Sequence, residues 1–407
     1  MHLATPPRET PVSDSCMIHA DAIVIGAGAA GLMCAATAGQ RGRRVVVLDH
    51  ARKLGTKILI SGGGRCNFTN LEVEASRFVS ANPHFCKSAL ARYTQWDFIG
   101  TVARHGIPYH EKTLGQLFCD DSARRILDML LAECAAGDVT IRTGESVREI
   151  GGAERFRVTT DRADLEAPSL VVATGGPSVP KTGATGFAYD VARQFGLSLR
   201  TPEPGLVPFT LDEADLALAK PLSGVATDAV ARCNRTSFRE NILFTHKGLS
   251  GPAVLQVSNY WQPGQPVGLD LLPDVGDPDA LVALKRRRPR LNLKTALAQW
   301  LPARLAERLT AQRFGDRRIG ETADKTLRTV LHHLKAWEVT PSGTEGFAKA
   351  EVAKGGVDTA ALSSRTMEAK RVPGLYVVGE AVDVTGWLGG YNFQWAWSSG
   401  WCAGQAV

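Results

Sequence analysis

Three side chains in this sequence have the chemistry to hand a proton to a reacting carbon, and each adjoins glycine. Cys66 sits in Ser61-Gly-Gly-Gly-Arg-Cys-Asn67, Tyr391 in Gly389-Gly-Tyr-Asn392, and His246 shortly before Gly248 and Ser250-Gly-Pro252. A thiol, a phenol and an imidazole are groups that general acid catalysis uses. Each also has a plainer reading. A cysteine is a small buried filler unless its pKa and exposure say otherwise, and a lone histidine is more often structural. The glycine runs bring backbone N–H groups close to a ligand, with Ser61, Arg65 and Asn67 as donors around Gly62 and Gly63.

What those loops face is set by the first element. Ile23-Val-Ile-Gly-Ala-Gly-Ala-Ala-Gly-Leu32 is an apolar, β-branched run that ends at Gly26, and Val45 to Leu48 is a second that stops at Asp49. Gly26 permits a tight turn out of a strand. Gly28 leaves a helix N-terminus, with Ala29 and Ala30 in its first turn, open to a pyrophosphate. Gly31 lets that helix lie close on the strands, and Asp49 accepts hydrogen bonds from ribose hydroxyls. This much predicts a dinucleotide site, NAD or FAD.

Two later strands discriminate. Leu170-Val-Val-Ala-Thr-Gly-Gly176 and Leu375-Tyr-Val-Val-Gly-Glu380 are apolar runs with glycine exits, the second followed by Asp383, Gly389, Gly390, Tyr391, Asn392 and the helix bearing Gln394. One N-terminal fingerprint, a middle Thr-Gly-Gly strand and an acidic Gly-Glu strand resemble the FAD site of two-dinucleotide-binding-domain flavoproteins. Between Gly176 and Gly346 no second G-x-G-x-x-G occurs, so a separate NAD domain is not expected. The candidate FAD residues are completed by Lys53, Lys57, Val147, Thr174, Gly175, Gly176 and Gly379.

The 407 residues, 44% apolar and 22% charged, suffice for two or three domains of a soluble protein. No apolar run nears the roughly 20 residues that cross a bilayer. The eight cysteines are scattered without C-x-x-C or zinc-type spacing, which predicts neither a disulfide framework nor a metal site and suits the cytoplasm. Residues 1–20 are expected to be a disordered tail, polar and lacking a signal core, with Met17 as an alternative start. The predicted fold is α/β: a Rossmann-like FAD domain in two pieces, 21–200 and 346–407, interrupted by an insert at 201–345. In the insert, 201–276 is expected to be a small β-barrel behind a Pro-rich linker, Thr201 to Pro208, and 277–345 helical. Gly346 to Ala353 reads as a strand. The net charge is +6, and Lys285-Arg-Arg-Arg-Pro-Arg290 is either a solvated face or a nucleic-acid contact.

Four longer stretches carry a family resemblance: Lys57 to Asn70, Ala173 to Gly186, Leu243 to Pro252, and pieces of Ala353 to Gly400 ending in Gly-Gly-Tyr-Asn-Phe-Gln-Trp-Ala-Trp-Ser-Ser-Gly. Together they resemble the BaiN/RdsA-like, or YhiN-like, family of FAD-dependent oxidoreductases, over nearly everything from Asp21 onward. The resemblance implies the inserted barrel and helical portion. It also implies flavin-dependent reduction of a carbon–carbon double bond, in members linked to bile-acid steroids and to dihydrouridine in ribosomal RNA. Asp49 stands where the family usually has Glu, Cys119 where commoner members have proline, and Trp387 where Tyr is frequent. The leading expectation is an alkene reductase using NADH or NADPH as transient electron donor. The alternatives are an RNA-modifying reductase and a flavin-binding redox sensor without turnover. Whether the substrate is a small molecule or RNA stays open, as does the proton donor. Asn392 and the helix after it are candidates to stabilise charge on reduced flavin. Of the tryptophans at 387, 395, 397 and 401, only loop-borne Trp387 suits a substrate wall.

Overall fold

The computed structural model describes residues 17–152 and 154–407. Most of the expected tail therefore lies outside the described residues. Its last part does not behave as tail: Ile18–His19 is a short strand paired in parallel with Leu165–Glu166.

The organising element is a five-stranded parallel sheet in the order Leu375–Val377, Ser169–Val172, Ala22–Ile25, Val45–Asp49, Thr140–Thr143. Its central strands are buried on both faces, which is why they read as unbroken Val, Ile and Leu runs. Because all five strands run the same way, their carboxyl ends share one edge, where ligands of open α/β sheets bind. Gly26, Asp49, Thr174 and Gly379 follow those ends directly and so converge.

Two helices pack together beneath this edge. Ala29–Gly39 is built largely of alanine and glycine, and Tyr391–Gly404 crosses it at glycines. A Cβ on Gly400 would stand 2.4 Å from the Ala30 carbonyl oxygen, and one on Gly404 2.6 Å from that of Cys34. Small residues here are a condition of the close crossing. The other face of the final helix is aromatic: Trp397 stacks on Phe98 at 4.4 Å, and its indole N–H donates to the Phe68 carbonyl at 2.8 Å. Trp395 donates to the Gly379 carbonyl at 3.0 Å. Trp401 stacks with Tyr93 at 5.7 Å. These three tryptophans are packing residues.

Between residues 206 and 345 a second hydrophobic core forms around a seven-stranded antiparallel sheet. Two of its strands, Trp337–Val339 and Gly343–Thr344, come after the helices Ala280–Arg287, Leu293–Leu297, Ala303–Leu309 and Asp324–Lys335, so the chain returns to the sheet before leaving it. The Pro-rich segment expected as a linker is instead a strand, Leu199–Gly205, paired antiparallel with Val352–Val357. Proline is tolerated because the sheet has only two strands and its register shifts between Arg200 and Glu203, where Pro202 needs no ladder bond. The expected strand from Gly346 begins only at Val352. Gly346 has φ +68°, and residues 347–349 form a turn. Likewise Tyr109 to Asp121, a polar stretch in sequence, is a hairpin of Tyr109–Glu111 and Gln116–Cys119.

Candidate functional site

A cleft of about 1000 Å³ runs along the carboxyl edge of the parallel sheet and continues to the wall of the second core. At its inner end, the Gly26 backbone takes φ +107° to leave the first strand. The Asp49 carboxylate accepts from the Ala27 N–H and the Ala51 N–H, both at 2.8 Å. One acid thus fixes the glycine turn and still presents lone pairs to the cleft. Gly31 does not line the cleft. A Cβ there would be 1.9 Å from the Gly26 carbonyl oxygen, so its role is to let helix and strand approach. A Cβ on Gly28 would meet no protein atom within 4 Å: the space beside it is cleft.

Midway, Lys57 donates to Glu380 at 2.8 Å and to the Ser178 hydroxyl at 2.6 Å, and Ser178 donates to Glu380 at 2.5 Å. The Ala353 N–H gives Glu380 a third bond at 3.0 Å. This charge-assisted cluster ties four distant segments into one wall. Ser178 was not singled out from sequence, although it lies within the Ala-Thr-Gly-Gly-Pro-Ser stretch. The neighbouring Thr174 hydroxyl is buried without a hydrogen-bond partner among the described residues, and Thr174 borders the cleft.

At the outer end two glycine loops meet. In the amide orientation that satisfies both its ends, Asn67 donates to the Thr69 and Leu117 carbonyls and accepts from the Gly390 N–H, each at 3.2 Å. Asn70 donates to the Gly389 carbonyl at 2.9 Å. Gly390, with φ +95°, starts the final helix, whose N-terminal N–H groups and dipole favour negative charge at this end. The Asn392 amide folds back on Gly386, accepting at 2.8 Å and donating at 2.9 Å, so the helix terminus rather than this side chain is what remains to meet a ligand. Ser61 is likewise committed, donating to the Ile58 carbonyl at 2.7 Å. Trp387 lines the cleft, packs against both cores and donates to the Tyr260 hydroxyl at 2.6 Å.

Of the predicted cofactor residues, Gly26, Gly28, Ala29, Ala30, Asp49, Lys53, Lys57, Ser61, Gly62, Gly63, Asn67, Val147, Thr174, Gly175, Gly379, Glu380, Gly389, Gly390 and Asn392 border this cleft. Arg65, Gly176, Asp383 and Gln394 do not. Asp383 accepts from the Ala81 N–H at 2.9 Å, and Gln394 is buried between Thr69, Ser398 and the Tyr93 carbonyl. Arg65 is exposed and is not among the lining residues.

None of the three sequence-derived proton donors borders the cleft. Cys66 is fully buried, and burial pushes its thiol up to about 12. Tyr391 is buried with its hydroxyl accepting from Arg77 at 2.8 Å; burial raises its pKa, with Arg77 opposing. His246 is exposed in the turn between Thr236–Phe244 and Gly248–Ser250.

A family model described as HI0933-like protein Rossmann domain matches residues 20–406. The chain belongs to this family. Among relatives of the HI0933-like chain is the ribosomal RNA dihydrouridine synthase of Escherichia coli (strain K12), 54% identical and aligned over 95% of this chain and 97% of that protein. The protein of the same name from Haemophilus influenzae (strain ATCC 51907 / DSM 11121 / KW20 / Rd) is 47% identical, over 96% and 98%. More distant is the 3-dehydro-bile acid delta(4,6)-reductase of Clostridium scindens (strain ATCC 35704 / DSM 5676 / VPI 13733 / 19), 30% identical over 94% and 98%. The HI0933-like chain is thus an enzyme of an FAD-dependent oxidoreductase family. The cleft fits that cofactor. An elongated volume, the open flank of Gly28, the acceptor Asp49 and the partnerless Thr174 hydroxyl suit a dinucleotide, and the Gly390 helix start suits a flavin ring. Among the described residues no helix is long and apolar enough to cross a membrane, and no three His, Cys, Asp or Glu side chains gather as a metal site.

Proposed function

We propose that this protein is an FAD-dependent reductase of a uracil carbon–carbon double bond in ribosomal RNA, producing dihydrouridine, with NADH or NADPH as electron donor. The observation that carries it is the identity gradient over nearly full-length alignments, 54% and 47% to two ribosomal RNA dihydrouridine synthases against 30% to a bile-acid reductase. Reduction of a small-molecule alkene, the leading sequence expectation, becomes the second reading.

The chemistry is consistent with the site. FAD, once reduced, supplies a hydride equivalent. In uracil the C5–C6 double bond is conjugated to the C4 carbonyl, so C6 takes the hydride and C5 a proton. Negative charge near the Gly390 helix terminus is stabilised by that terminus. Trp387, the aromatic at the cleft wall, gives an unstacked base a surface to lie on.

A basic surface supports the RNA reading. Residues 289–293 run beside 317–320, joined by the Ile319 N–H to the Leu291 carbonyl and the Leu293 N–H to the Arg317 carbonyl, each at 2.8 Å. This brings Arg317 and Arg318 next to the exposed Arg286, Arg287, Arg288 and Arg290. Lys285, by contrast, is held by Asp324 at 2.8 Å. Such a cluster is what a phosphate backbone requires. The test is reduction of ribosomal RNA, isolated from a strain lacking the gene, by the purified holoenzyme with NADH or NADPH. Dihydrouridine should appear at a single position. Reduction of a steroid enone with no reaction on RNA would favour the second reading.

A further inference from the structure

Four carboxyl groups border the cleft, and three already hold protein partners. Asp49 holds two backbone N–H groups. Glu145 accepts from Arg142 and from the Thr160 hydroxyl, each at 2.7 Å. Glu380 is engaged by Lys57, Ser178 and the Ala353 N–H. The fourth, Glu351, is exposed, lines the cleft and makes no side-chain hydrogen bond or ion pair among the described residues. Although the residue is exposed at the cleft, desolvation by the protein packed around it raises its pKa, and no neighbouring charge or donor among the described residues offsets this.

Its place is set by backbone contacts on both sides. The Glu351 N–H donates to the Leu206 carbonyl at 3.2 Å, and Leu206 is anchored by its own N–H to the Asn259 side chain at 2.9 Å. Two residues along, the Ala353 N–H bonds Glu380. Opposite, Gln256 grips Leu388 through both ends of its amide, accepting at 2.9 Å and donating at 3.3 Å, one helical turn from Pro252. Leu206, Pro252 and Leu388 all line the cleft. Glu351 therefore stands where the wall of the second core meets the wall built on Glu380 and the Gly389 loop. Other titratable groups of the lining are placed elsewhere: His50 lies 3.8 Å from Asp49 at the inner end, Lys57 is held by Glu380 and Ser178, and Lys112 lies over the Phe118 ring at 5.4 Å on the hairpin.

From this position we infer that Glu351 is the proton donor of the reduction, the group that delivers hydrogen to the alkene carbon not attacked by hydride. The inference rests on the reductase reading above. The alkene gains a hydride at the carbon β to its carbonyl, its π pair shifts toward the carbonyl, and the α carbon takes the Glu351 proton. Glu351 is left as carboxylate and regains a proton from water through the open cleft. Two electrons and two hydrogens enter the substrate. The hydride comes from reduced FAD, which NADH or NADPH restores.

The experiment compares wild type, Glu351→Gln and Glu351→Asp as FAD-loaded enzymes with three acceptors. These are undermodified ribosomal RNA, 2-cyclohexen-1-one and ferricyanide, the last needing no proton on carbon. Flavin reduction by NADH or NADPH and turnover with ferricyanide should be the same in all three proteins. Reduction of whichever alkene wild type accepts should fall about 10²- to 10⁴-fold in Glu351→Gln, the usual worth of a positioned acid, and recover in part in Glu351→Asp. In heavy water, wild type should place deuterium on one face of the α carbon and the residual product of Glu351→Gln on both. A Glu351→Gln enzyme reducing that alkene at the wild-type rate overturns the assignment. So does an equal loss with ferricyanide, which would mark a structural role. A wild type that reduces neither alkene overturns the reductase reading and the assignment with it.

Discussion

Gly28 and Gly31 stand three residues apart in one fingerprint, yet replacing each with alanine should fail differently. A Cβ on Gly31 would lie 1.9 Å from the Gly26 carbonyl oxygen and 3.1 Å from the Ala173 Cβ. Carbon and oxygen without a hydrogen bond need a little over 3 Å, so helix Ala29–Gly39 or the Gly26 turn must move by about 1 Å. Overpacking of that size costs about 1–3 kcal/mol. The movement would also shift the helix N-terminus away from the proposed pyrophosphate position. Gly28→Ala meets no protein atom within 4 Å and should leave the fold intact, while its methyl group occupies cofactor space. Thermal unfolding of the apoprotein and FAD titration separate the cases. Gly31→Ala should lower Tm by several degrees and lose FAD. Gly28→Ala should keep the wild-type apoprotein Tm and weaken FAD tenfold or more. Wild-type FAD affinity and Tm in Gly31→Ala would refute the close-approach argument. An FAD-competent Gly28→Ala would refute the location of the pyrophosphate.

Three further outcomes follow from named contacts. Asp49→Ala removes the acceptor of two backbone N–H groups as well as the proposed ribose contact; at about 1–3 kcal/mol for such losses, FAD affinity measured by fluorescence should drop at least tenfold, whereas Asp49→Glu should stay close to wild type. Cys66, with burial pushing its thiol up to about 12, is roughly 0.01% thiolate at pH 8, against about a quarter for a free cysteine near 8.5. Its alkylation by iodoacetamide in the native holoenzyme should be negligible at pH 8 and rise only in strongly alkaline solution, and Cys66→Ala should retain alkene reduction within about threefold. Finally, replacing Arg286 and Arg288 by glutamine should weaken ribosomal RNA binding in a filter or fluorescence assay and lower the slope of log affinity against log salt by about two, without changing FAD content.

The geometry of the cleft's inner end was legible because its constraints are local. A strand that must end at Gly26, a helix that must start bare at Gly28 and an acid at the next strand end are written within Ile23 to Asp49. Which acids border the cleft was not legible, for physical reasons visible in each residue. Cys66 and Tyr391 adjoin glycines that do line the cleft, but their own side chains turn into the core, toward burial and toward Arg77. His246 sits in a loop whose reach depends on how the second core docks. Glu351, in Ala-Lys-Ala-Glu-Val-Ala, carries no motif and read as a strand residue. What distinguishes it is that it has no side-chain partner among the described residues, a property of tertiary structure alone. The Pro-rich segment was misjudged for a related reason. Proline excludes a central strand but not a two-stranded pairing with a register shift, and the partner strand lies about 150 residues away.

The central claim is tested most directly by deleting the gene in its host and mapping dihydrouridine across ribosomal RNA, with complementation by wild type and by Gly28→Ala. The account predicts that dihydrouridine disappears from one ribosomal RNA position, returns with the wild-type gene and does not return with Gly28→Ala. An unchanged dihydrouridine map in the deletion strain would contradict it.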